Sequence, residues 1–274
     1  MTDKILNYLP ALCNQVKRLA VEAGGATLPF FDESGAGEFT SKIDGSPVTE
    51  ADKAADKIIR EGLKSIAPSV PLISEEDEGE RLDISETEYF WLIDPLDGTS
   101  GFIKGNPDYT VNIALIKNKV PVLGVIYAPV LGELYSGHGP GTAKRWLEET
   151  GVEKEIQIRK LRREGMTIAV SNYRGRTPKQ DQLLEQFKVE KIIRRASSIK
   201  FCLLASGKAD FYLCLREISE WDTAAGDAIL RSAGGIVLDM EGRELEYGKK
   251  DRNFTHPFFQ ATSSRDIILD QSDL

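Results

Sequence analysis

The sequence has 274 residues, enough for one large domain or two ordinary ones with a sizeable core. Hydrophobic residues make up 41% and charged residues 28% of the chain, a balance typical of a soluble globular protein. The formal net charge of −8 argues against a nucleic-acid polymer as partner, but it is compatible with a small anionic ligand held by a local site.

Cysteine usage and hydropathy predict where the protein works. Cys13, Cys202 and Cys214 are scattered, which favours a reduced protein with neither a disulfide framework nor a thiolate metal site. No apolar run approaches the ~20 residues that span a membrane, and the N-terminus lacks the pattern of a secretory signal. We therefore predict no integral membrane segment and a cytoplasmic location, with peripheral attachment at the inner membrane face as an alternative.

The N-terminal half predicts helices followed by an antiparallel sheet. A first helix within the first thirty residues has an apolar face, and a second begins after Thr49, with Asp52 completing a capping box. A polar, glycine-rich stretch, "DESGAGEFTSKIDGSP", separates them and predicts a mobile surface loop. Strands follow at "VPLIS" and "YFWLID", and "TVNIALIKNKVPVLGVIYAPV" predicts a hairpin that "GELYSG" and "TAKRWL" extend. The apolar face of the first helix comprises Ile5, Leu9, Leu12, Val16, Leu19 and Ala23.

The C-terminal half predicts alternating strands and helices. Residues 150–165 are charged and weakly patterned, which favours a domain boundary there. Strands are predicted at "MTIAVS", "EKIIRR", "ADFYLCL" and "GIVLD", and helices at "KQDQLLEQF", "SIKFCLLASG" and "WDTAAGDAILRSAGG". This alternation indicates a layered α/β arrangement.

Histidines are scarce, which narrows the chemistry. His138 and His256 each stand beside Gly or Pro and are predicted to be exposed loop residues. A Ser-His-Asp triad, a Cys-His pair or a histidine-rich zinc site therefore finds no support. General acid–base catalysis would therefore depend mainly on carboxylates, hydroxyls or metal-bound water.

The stretch "WLIDPLDGTSGF" places Asp94 and Asp97 three residues apart after an apolar strand. Pro95 bends the chain, and two carboxylates meeting in this turn would raise each other's pKa unless a cation lay between them. Oxygen ligands, to which the Leu96 carbonyl adds, favour Mg²⁺, Ca²⁺ or Mn²⁺. An ordinary capping turn explains the same residues equally well.

Other acids strengthen the metal interpretation. Glu75 ends the strand "VPLIS", beside the predicted neighbour "WLID", and strand ends are where sites gather in layered α/β folds. Asp222 begins a helix after a tryptophan, where an aspartate also serves as a helix-dipole partner. Thr49 and Asp52 serve equally as caps of the second helix.

Together these motifs carry a resemblance. The stretches "SPVTEAD", "ISEE", "WLIDPLDGT" and "WDTAAG", in this order and spacing, resemble the magnesium-dependent, lithium-sensitive phosphomonoesterases of the inositol monophosphatase superfamily. "SKIDGSPVTEADKAAD", "FIKGNPDYTVNIALIKNKVPVLGVIYAPV" and "SSIKFCLLASGKADFY" are most similar to its 3'(2'),5'-bisphosphate nucleotidase branch, the bacterial sulfur-assimilation type. The resemblance covers nearly the whole chain.

The resemblance implies two or three Mg²⁺ ions. Glu75, Asp94 and the Leu96 carbonyl would hold an ion that activates water. Asp94, Asp97 and Asp222 would hold a second ion, which stabilises the leaving oxygen, and a third, weaker ion would lie near Glu75. Asp52 and Thr99 would form the pair that takes the proton from the attacking water. The resulting hydrolysis would proceed in line, with inversion and without a covalent intermediate.

The resemblance also implies the substrate contacts. The "SSIK" element would bind substrate through Ser197, Ser198 and Lys200, and the backbone N–H groups of Gly98 and Thr99 would face the phosphate. Glu75, Leu96, Asp97 and Asp222 would also border the substrate. Two departures stand out: Ser100 replaces a lysine common in the branch, and "LREISE" replaces a segment that often contains Gly-Pro.

The implied fold is a layered αβαβα sandwich of the inositol monophosphatase and fructose-1,6-bisphosphatase type. Its α+β part, residues 1–155, would carry most metal ligands, and its α/β part, residues 156–274, would carry Asp222 and the substrate-selecting segment.

Three functions are weighed on this scaffold. The leading one is hydrolysis of the 3'-phosphate of adenosine 3',5'-bisphosphate to AMP and phosphate, with 3'-phosphoadenosine 5'-phosphosulfate (PAPS) as a further substrate. The alternatives are an inositol monophosphatase or sugar bisphosphatase, and a non-catalytic sensor of metal and nucleotide. The partner in each case is a small phosphorylated molecule, and monomer and dimer both remain open.

Overall fold

The structure is a computed structural model that describes residues 4–35, 38–41, 47–77, 79–84, 87–172 and 178–269. Parts of the predicted glycine-rich loop and of the acidic run after Glu75 lie outside these ranges. The helices are α1 (Leu9–Thr27), α2 (Glu50–Ile66), α3 (Thr99–Phe102), α4 (Pro178–Leu184), α5 (Ile199–Ala205) and α6 (Glu220–Ser232). The first nine strands are β1 (Thr40–Ser41), β2 (Pro47–Val48), β3 (Leu72–Ser74), β4 (Tyr89–Asp97), β5 (Thr110–Lys117), β6 (Val120–Ala128), β7 (Glu133–Gly137), β8 (Lys144–Leu147) and β9 (Val152–Glu155). The others are β10 (Met166–Ser171), β11 (Val189–Arg195), β12 (Phe211–Cys214), β13 (Ile218–Ser219), β14 (Ile236–Asp239), β15 (Thr255–His256) and β16 (Phe259–Thr262).

Two large sheets and three helical layers build the described part of the molecule, and two further sheets, β1-β2 and β13-β15, have two strands each. A seven-stranded sheet runs in the order β3-β4-β5-β6-β7-β8-β9, and a five-stranded sheet in the order β11-β10-β12-β16-β14. Helices α1 and α2 cover one face of the large sheet, α5 and α6 lie between the sheets, and α4 packs outside the small sheet. This confirms the predicted αβαβα sandwich. The division of the chain after residue 155 stays a prediction.

Strand β4 shows how the layers are held together. Trp91 and Ile93 point into the core under α1 and α2, whereas Phe90 and Leu92 point into the core between the sheets. All four side chains are at most 2% exposed. Because apolar burial contributes about 25 cal/mol per Å², a strand buried on both faces anchors both layers.

Helices α1 and α2 follow their sequence patterns. On α1, Leu12, Val16 and Ala23 are fully buried, as the apolar period predicts. Helix α2 begins with the predicted capping box, in which the Thr49 N–H donates to the Asp52 carboxylate over 2.8 Å.

The small sheet contains a strand that sequence reasoning missed. Strand β16 lies between β12 and β14 and is antiparallel to both. The predicted boundary at 150–165 also contains β9, one of the two edge strands of the large sheet. Both are only four residues long, and their pairing partners, not their own periodicity, make them strands. Among the helices of the described residues, none combines the length and apolarity needed to cross a bilayer.

The prediction that His256 is exposed is wrong. His256 is 0% exposed because β15 pairs with β13, and the Tyr247 ring packs edge-on against the imidazole with centroids 4.8 Å apart. Burial, with the Lys249 charge adding to it, lowers the pKa of His256 to about 3. His138 is half-buried in the loop after β7.

We expect His256 to make the protein acid-sensitive. Its folded pKa lies below the ordinary value of 6.5, so its contribution is fully present above pH 6.5 and is lost as pH falls towards 3. Each pH unit in this window costs up to about 1.4 kcal/mol. Urea unfolding at several pH values should therefore show a shallower loss of stability for His256→Gln than for the wild type. Equal slopes for the two proteins would contradict the shift, and His138→Gln serves as the half-buried control.

Candidate active site

A β-bulge at the end of β4 brings two carboxylates to one edge of the large sheet. Asp94 pairs with Asn112 on β5, whereas Asp97 pairs with Thr110, so three steps on β4 oppose two on β5. The sequence predicted that the strand ends at Asp94, but pairing continues to Asp97. Pro95 has no N–H to give to the ladder, and the bulge absorbs this gap.

Glu75, Asp94 and Asp222 converge from three elements. Glu75 follows β3, which runs parallel to β4, and its N–H donates to the Ile93 carbonyl over 3.2 Å. Asp222 lies in the first turn of α6, between the sheets. One carboxylate oxygen from each of the three residues lies within 4.8 Å of the others. Residues separated by 147 positions (75 to 222) thus form one acidic cluster.

The carboxylates of the cluster are buried and repel one another, and a bound cation would relieve this repulsion. Burial, then the charges of Glu75, Asp97 and Asp222, raise the pKa of Asp94 well above its usual range. The pKa of Asp222 is raised in the same way, by desolvation and then by Asp97 and Glu75. Asp94 Oδ1 accepts the Leu96 N–H over 3.0 Å, but its buried Oδ2 has no hydrogen-bond partner among the described residues. An all-oxygen set with an orphaned buried acceptor fits a hard divalent cation.

Asp52 and Thr99 meet as predicted, across two elements. The Thr99 hydroxyl lies 3.2 Å from Asp52 Oδ1 and 3.2 Å from the Leu96 carbonyl oxygen. Asp52 is 1% exposed, and its Oδ2 accepts from the hydroxyl of Thr49 over 2.6 Å. The capping role and the contact with Thr99 therefore use different oxygens of one carboxylate. Capping and proton transfer are compatible at Asp52.

Gly98 occupies a position that other residues fill poorly. Its φ is +98°, in the left-handed region, and it caps the short helix α3. A Cβ at this position would lie 2.3 Å from the hydroxyl oxygen of Ser197. The predicted contact of the Gly98 and Thr99 N–H groups with phosphate stays a prediction.

The structure places the three residues of the "SSIK" element differently from one another. Ser197 and Lys200 line the cavity above the acidic cluster, whereas Ser198 is 2% exposed and does not line it. The Ser198 hydroxyl lies 2.7 Å from Asp97 Oδ2. The Lys200 ammonium donates to the Ser197 carbonyl over 2.6 Å. Burial lowers the pKa of Lys200, and the nearby Asp97 charge opposes this.

The cavity itself has a volume of about 580 Å³ and draws its lining from both sheets. Ser100 lines it without adding charge. Sequence reasoning missed two residues here. Asn112, a lone amide in the apolar strand β5, donates to Ser198 and Asp97. Arg216, within the unusual segment "LREISE", lines the cavity.

The sequence model of the inositol monophosphatase family matches residues 14–262. The chain belongs to the inositol monophosphatase family. Within the family, it is 42% identical over 251 residues to the 3'(2'),5'-bisphosphate nucleotidase CysQ of Salmonella typhimurium, a match that covers 92% of this chain and 99% of that protein.

Solved structures of family members share the fold. CysQ from Bacteroides thetaiotaomicron superposes with a TM-score of 0.77 at 33% identity, over 94% of this chain and 99% of that one. The inositol monophosphatase from Anabaena superposes with a TM-score of 0.72 at 25% identity, over 93% and 92%. Similarity in sequence therefore favours the nucleotidase branch, whereas the fold is common to both branches.

Proposed function

We propose that this chain is a 3'(2'),5'-bisphosphate nucleotidase that hydrolyses the 3'-phosphate of adenosine 3',5'-bisphosphate, giving AMP and phosphate. One observation carries the proposal. Glu75, Asp94 and Asp222 converge within 4.8 Å beside a cavity, in a chain that is 42% identical to a protein named for this activity. PAPS, which carries the same 3'-phosphate, is proposed as a second substrate.

The acidic residues fit two magnesium ions. Glu75, Asp94 and the Leu96 carbonyl would hold the first, and Asp94, Asp97 and Asp222 the second; a third ion near Glu75 is proposed as weaker. When bound, such ions neutralise the charge of the phosphate and lower the pKa of water. The orphaned oxygen of Asp94 and the raised pKa of its carboxyl group support this assignment, because a cation would satisfy both.

Asp52 and Thr99 are proposed to handle the proton of the attacking water. The Thr99 hydroxyl can donate to Asp52 Oδ1 at 3.2 Å while its oxygen accepts a proton from water. The buried Asp52 carboxylate is fixed by Thr49 on its other oxygen, so it cannot rotate away. Water attacks phosphorus directly in this scheme, and no side chain forms a covalent intermediate.

Phosphate release from a substrate panel tests the proposal. We expect turnover of adenosine 3',5'-bisphosphate with Mg²⁺, loss of turnover with EDTA, and inhibition by Li⁺. Inositol 1-phosphate and fructose 1,6-bisphosphate should be hydrolysed more slowly. Faster turnover of inositol phosphate would place the chain in the other branch, and tight nucleotide binding without any phosphate release would indicate a sensor.

A further inference from the structure

Two consecutive serines hold Asp97 from both sides. The Ser197 hydroxyl donates to the backbone carbonyl of Asp97 over 2.9 Å, and the Ser198 hydroxyl lies 2.7 Å from its carboxylate oxygen Oδ2. Neighbouring side chains in extended backbone point in opposite directions. Here Ser197 has φ +53°, a conformation that non-glycine residues seldom adopt, and both hydroxyls reach one residue. Gly98 leaves the space that the Ser197 hydroxyl fills.

Ser198 also connects Asp97 to Asp222, a member of the acidic cluster. Its hydroxyl lies 2.9 Å from the backbone carbonyl oxygen of Asp222, and the amide of Asn112 donates to it over 2.8 Å. Since Asn112 supplies one proton to this oxygen, the single proton of Ser198 is left for Asp97 or for the Asp222 carbonyl. Asn112 also reaches Asp97 Oδ2 directly, over 3.4 Å. Strands β4 and β5 and helices α5 and α6 thus meet at one hydroxyl.

The burial of this network separates it from the substrate. Ser198 is 2% exposed and Asn112 is 1% exposed, and neither lines the cavity. We propose that Ser198, supported by Asn112, is a positioning residue that fixes the Asp97 carboxylate relative to Asp222 for cation binding, and is not a substrate contact. The proposal rests on the proposed function, since Asp97 is there a metal ligand. Residues that orient ligands in this way change metal affinity by roughly 10- to 100-fold when removed.

Calorimetric titration of the metal-free protein with Mn²⁺ tests the positioning role. We expect Ser198→Ala to weaken Mn²⁺ binding at least about 10-fold. At saturating Mg²⁺ its KM for adenosine 3',5'-bisphosphate should stay within about threefold of wild type, since no substrate contact is lost. Ser206→Ala is the matched control, because Ser206 caps the C-terminal end of α5 as Ser198 caps its N-terminal end, and the Ser206 hydroxyl donates to the Cys202 carbonyl. It should leave both quantities unchanged.

Unchanged Mn²⁺ affinity with a raised KM in Ser198→Ala would overturn the inference and restore Ser198 as a substrate contact. If Ser198→Ala does not fold, Asn112→Ala makes the same test, and unchanged Mn²⁺ affinity there would overturn the inference too. When both variants fold, the double variant should lose less affinity than the sum of the two single losses, because the shorter Asn112 contact, at 2.8 Å, is to the Ser198 hydroxyl and only the longer one, at 3.4 Å, reaches Asp97 directly. A wild-type protein that binds no Mn²⁺ would instead refute the proposed function.

The distribution of charged side chains in the cavity supports a second inference. Four acids line it: Glu75, Asp94, Asp97 and Asp222. Among the lining residues of the described chain, the only cations are Lys200 and Arg216. Lys200 is 6% exposed, donates to the Ser197 carbonyl, and lies 5.1 Å from the centre of the Tyr212 ring. The positive charge of Lys200 therefore already interacts with groups of the protein itself.

Arg216 is the exposed cation of this cavity. It lies between β12 and β13, and its side chain donates to the neighbouring Glu217 carbonyl over 3.3 Å. It forms no ion pair with a carboxylate among the described residues. It lines the same cavity as the four acids.

A bisphosphate needs two anion sites in one cavity. If the acidic cluster with its cations takes the scissile phosphate, the second phosphate brings further negative charge into the cavity and needs a cation of its own nearby. A guanidinium suits this role because it binds phosphate oxygens in pairs. We infer that Arg216 binds the second, non-reacting phosphate and so selects bisphosphates over monophosphates. This inference also rests on the proposed function.

Two substrates that differ by one phosphate test Arg216. The ratio of kcat/KM for adenosine 3',5'-bisphosphate to that for adenosine 3'-monophosphate should fall about 10-fold or more in Arg216→Ala. Arg216→Lys should recover part of the ratio, because lysine keeps the positive charge but cannot bind two phosphate oxygens as a guanidinium does. Arg252→Ala, at an exposed arginine outside the cavity, is the control and should keep the wild-type ratio.

Equal losses on both substrates in Arg216→Ala would overturn the inference, as would an unchanged ratio. A wild-type protein that hydrolyses neither nucleotide would refute the proposed function, which is a different outcome from either of these.

Discussion

Asp97→Asn should fold and lose nearly all phosphatase activity, roughly 1,000-fold or more in kcat, because a neutral amide replaces a charged ligand of the proposed second cation. Asparagine keeps the shape of the side chain and can still accept the hydrogen bond from Ser198. The change therefore tests charge rather than packing, and Asp97→Ala should lose activity to a similar extent.

Although Asp97→Asn should lose activity, its thermal stability without metal should equal or exceed that of the wild type. Asp97 raises the pKa of both Asp94 and Asp222, so its negative charge opposes theirs when no cation is present. Removing that charge should keep or raise the Tm in EDTA, while the Tm increase on adding Mn²⁺ should shrink. A variant with wild-type turnover, or one that unfolds in EDTA at a clearly lower temperature, would contradict the assignment of Asp97 as a ligand.

Gly98→Ala should damage both stability and catalysis. The left-handed φ of +98° costs an alanine about 1–2 kcal/mol, and the new Cβ would lie 2.3 Å from the Ser197 hydroxyl oxygen. Relief of this contact must move Ser197 away from the Asp97 carbonyl or tilt the turn that carries Asp97. We therefore expect a kcat loss of roughly 100-fold together with a lower Tm.

Gly234→Ala separates strain from collision. Gly234 has a similar φ of +95°, but among the described residues a Cβ there would meet only Ile158, at an ordinary 3.5 Å. It should lose about the same conformational free energy and keep wild-type kcat. If Gly98→Ala lowered kcat no more than Gly234→Ala does, the close approach of Ser197 to the turn would not matter for catalysis.

The acidic residues of the site could be predicted because each one stands at a recognisable strand end or helix start. Asp94 and Asp97 follow an apolar strand, Glu75 follows its parallel neighbour, and Asp222 begins a helix. Strand ends and helix starts meet at sheet edges, so these acids could be expected to converge. The capping box of Asp52 is equally local, and its contact with Thr99 was expected from family resemblance. The catalytic roles of these residues stay predictions.

What could not be predicted depends on long-range pairing. Strand β16 is four residues long and becomes a central strand only because β12 and β14 flank it. His256 is buried for the same reason, through the pairing of β15 with β13. Ser198 was expected to face the substrate, but the position of α5 turns its hydroxyl towards Asp97. No local spacing distinguishes a serine that faces a ligand from one that faces a carboxylate.

The most direct test of the acidic cluster is a crystal structure of the active enzyme with Mn²⁺, measured at a wavelength where manganese scatters anomalously. We predict anomalous peaks in contact with the carboxylates of Asp94, Glu75 and Asp222, with Asp97 bound to at least one of the ions. Crystals that remain active in Mn²⁺ but show no peak among these carboxylates would contradict the claim that this cluster exists to hold divalent cations.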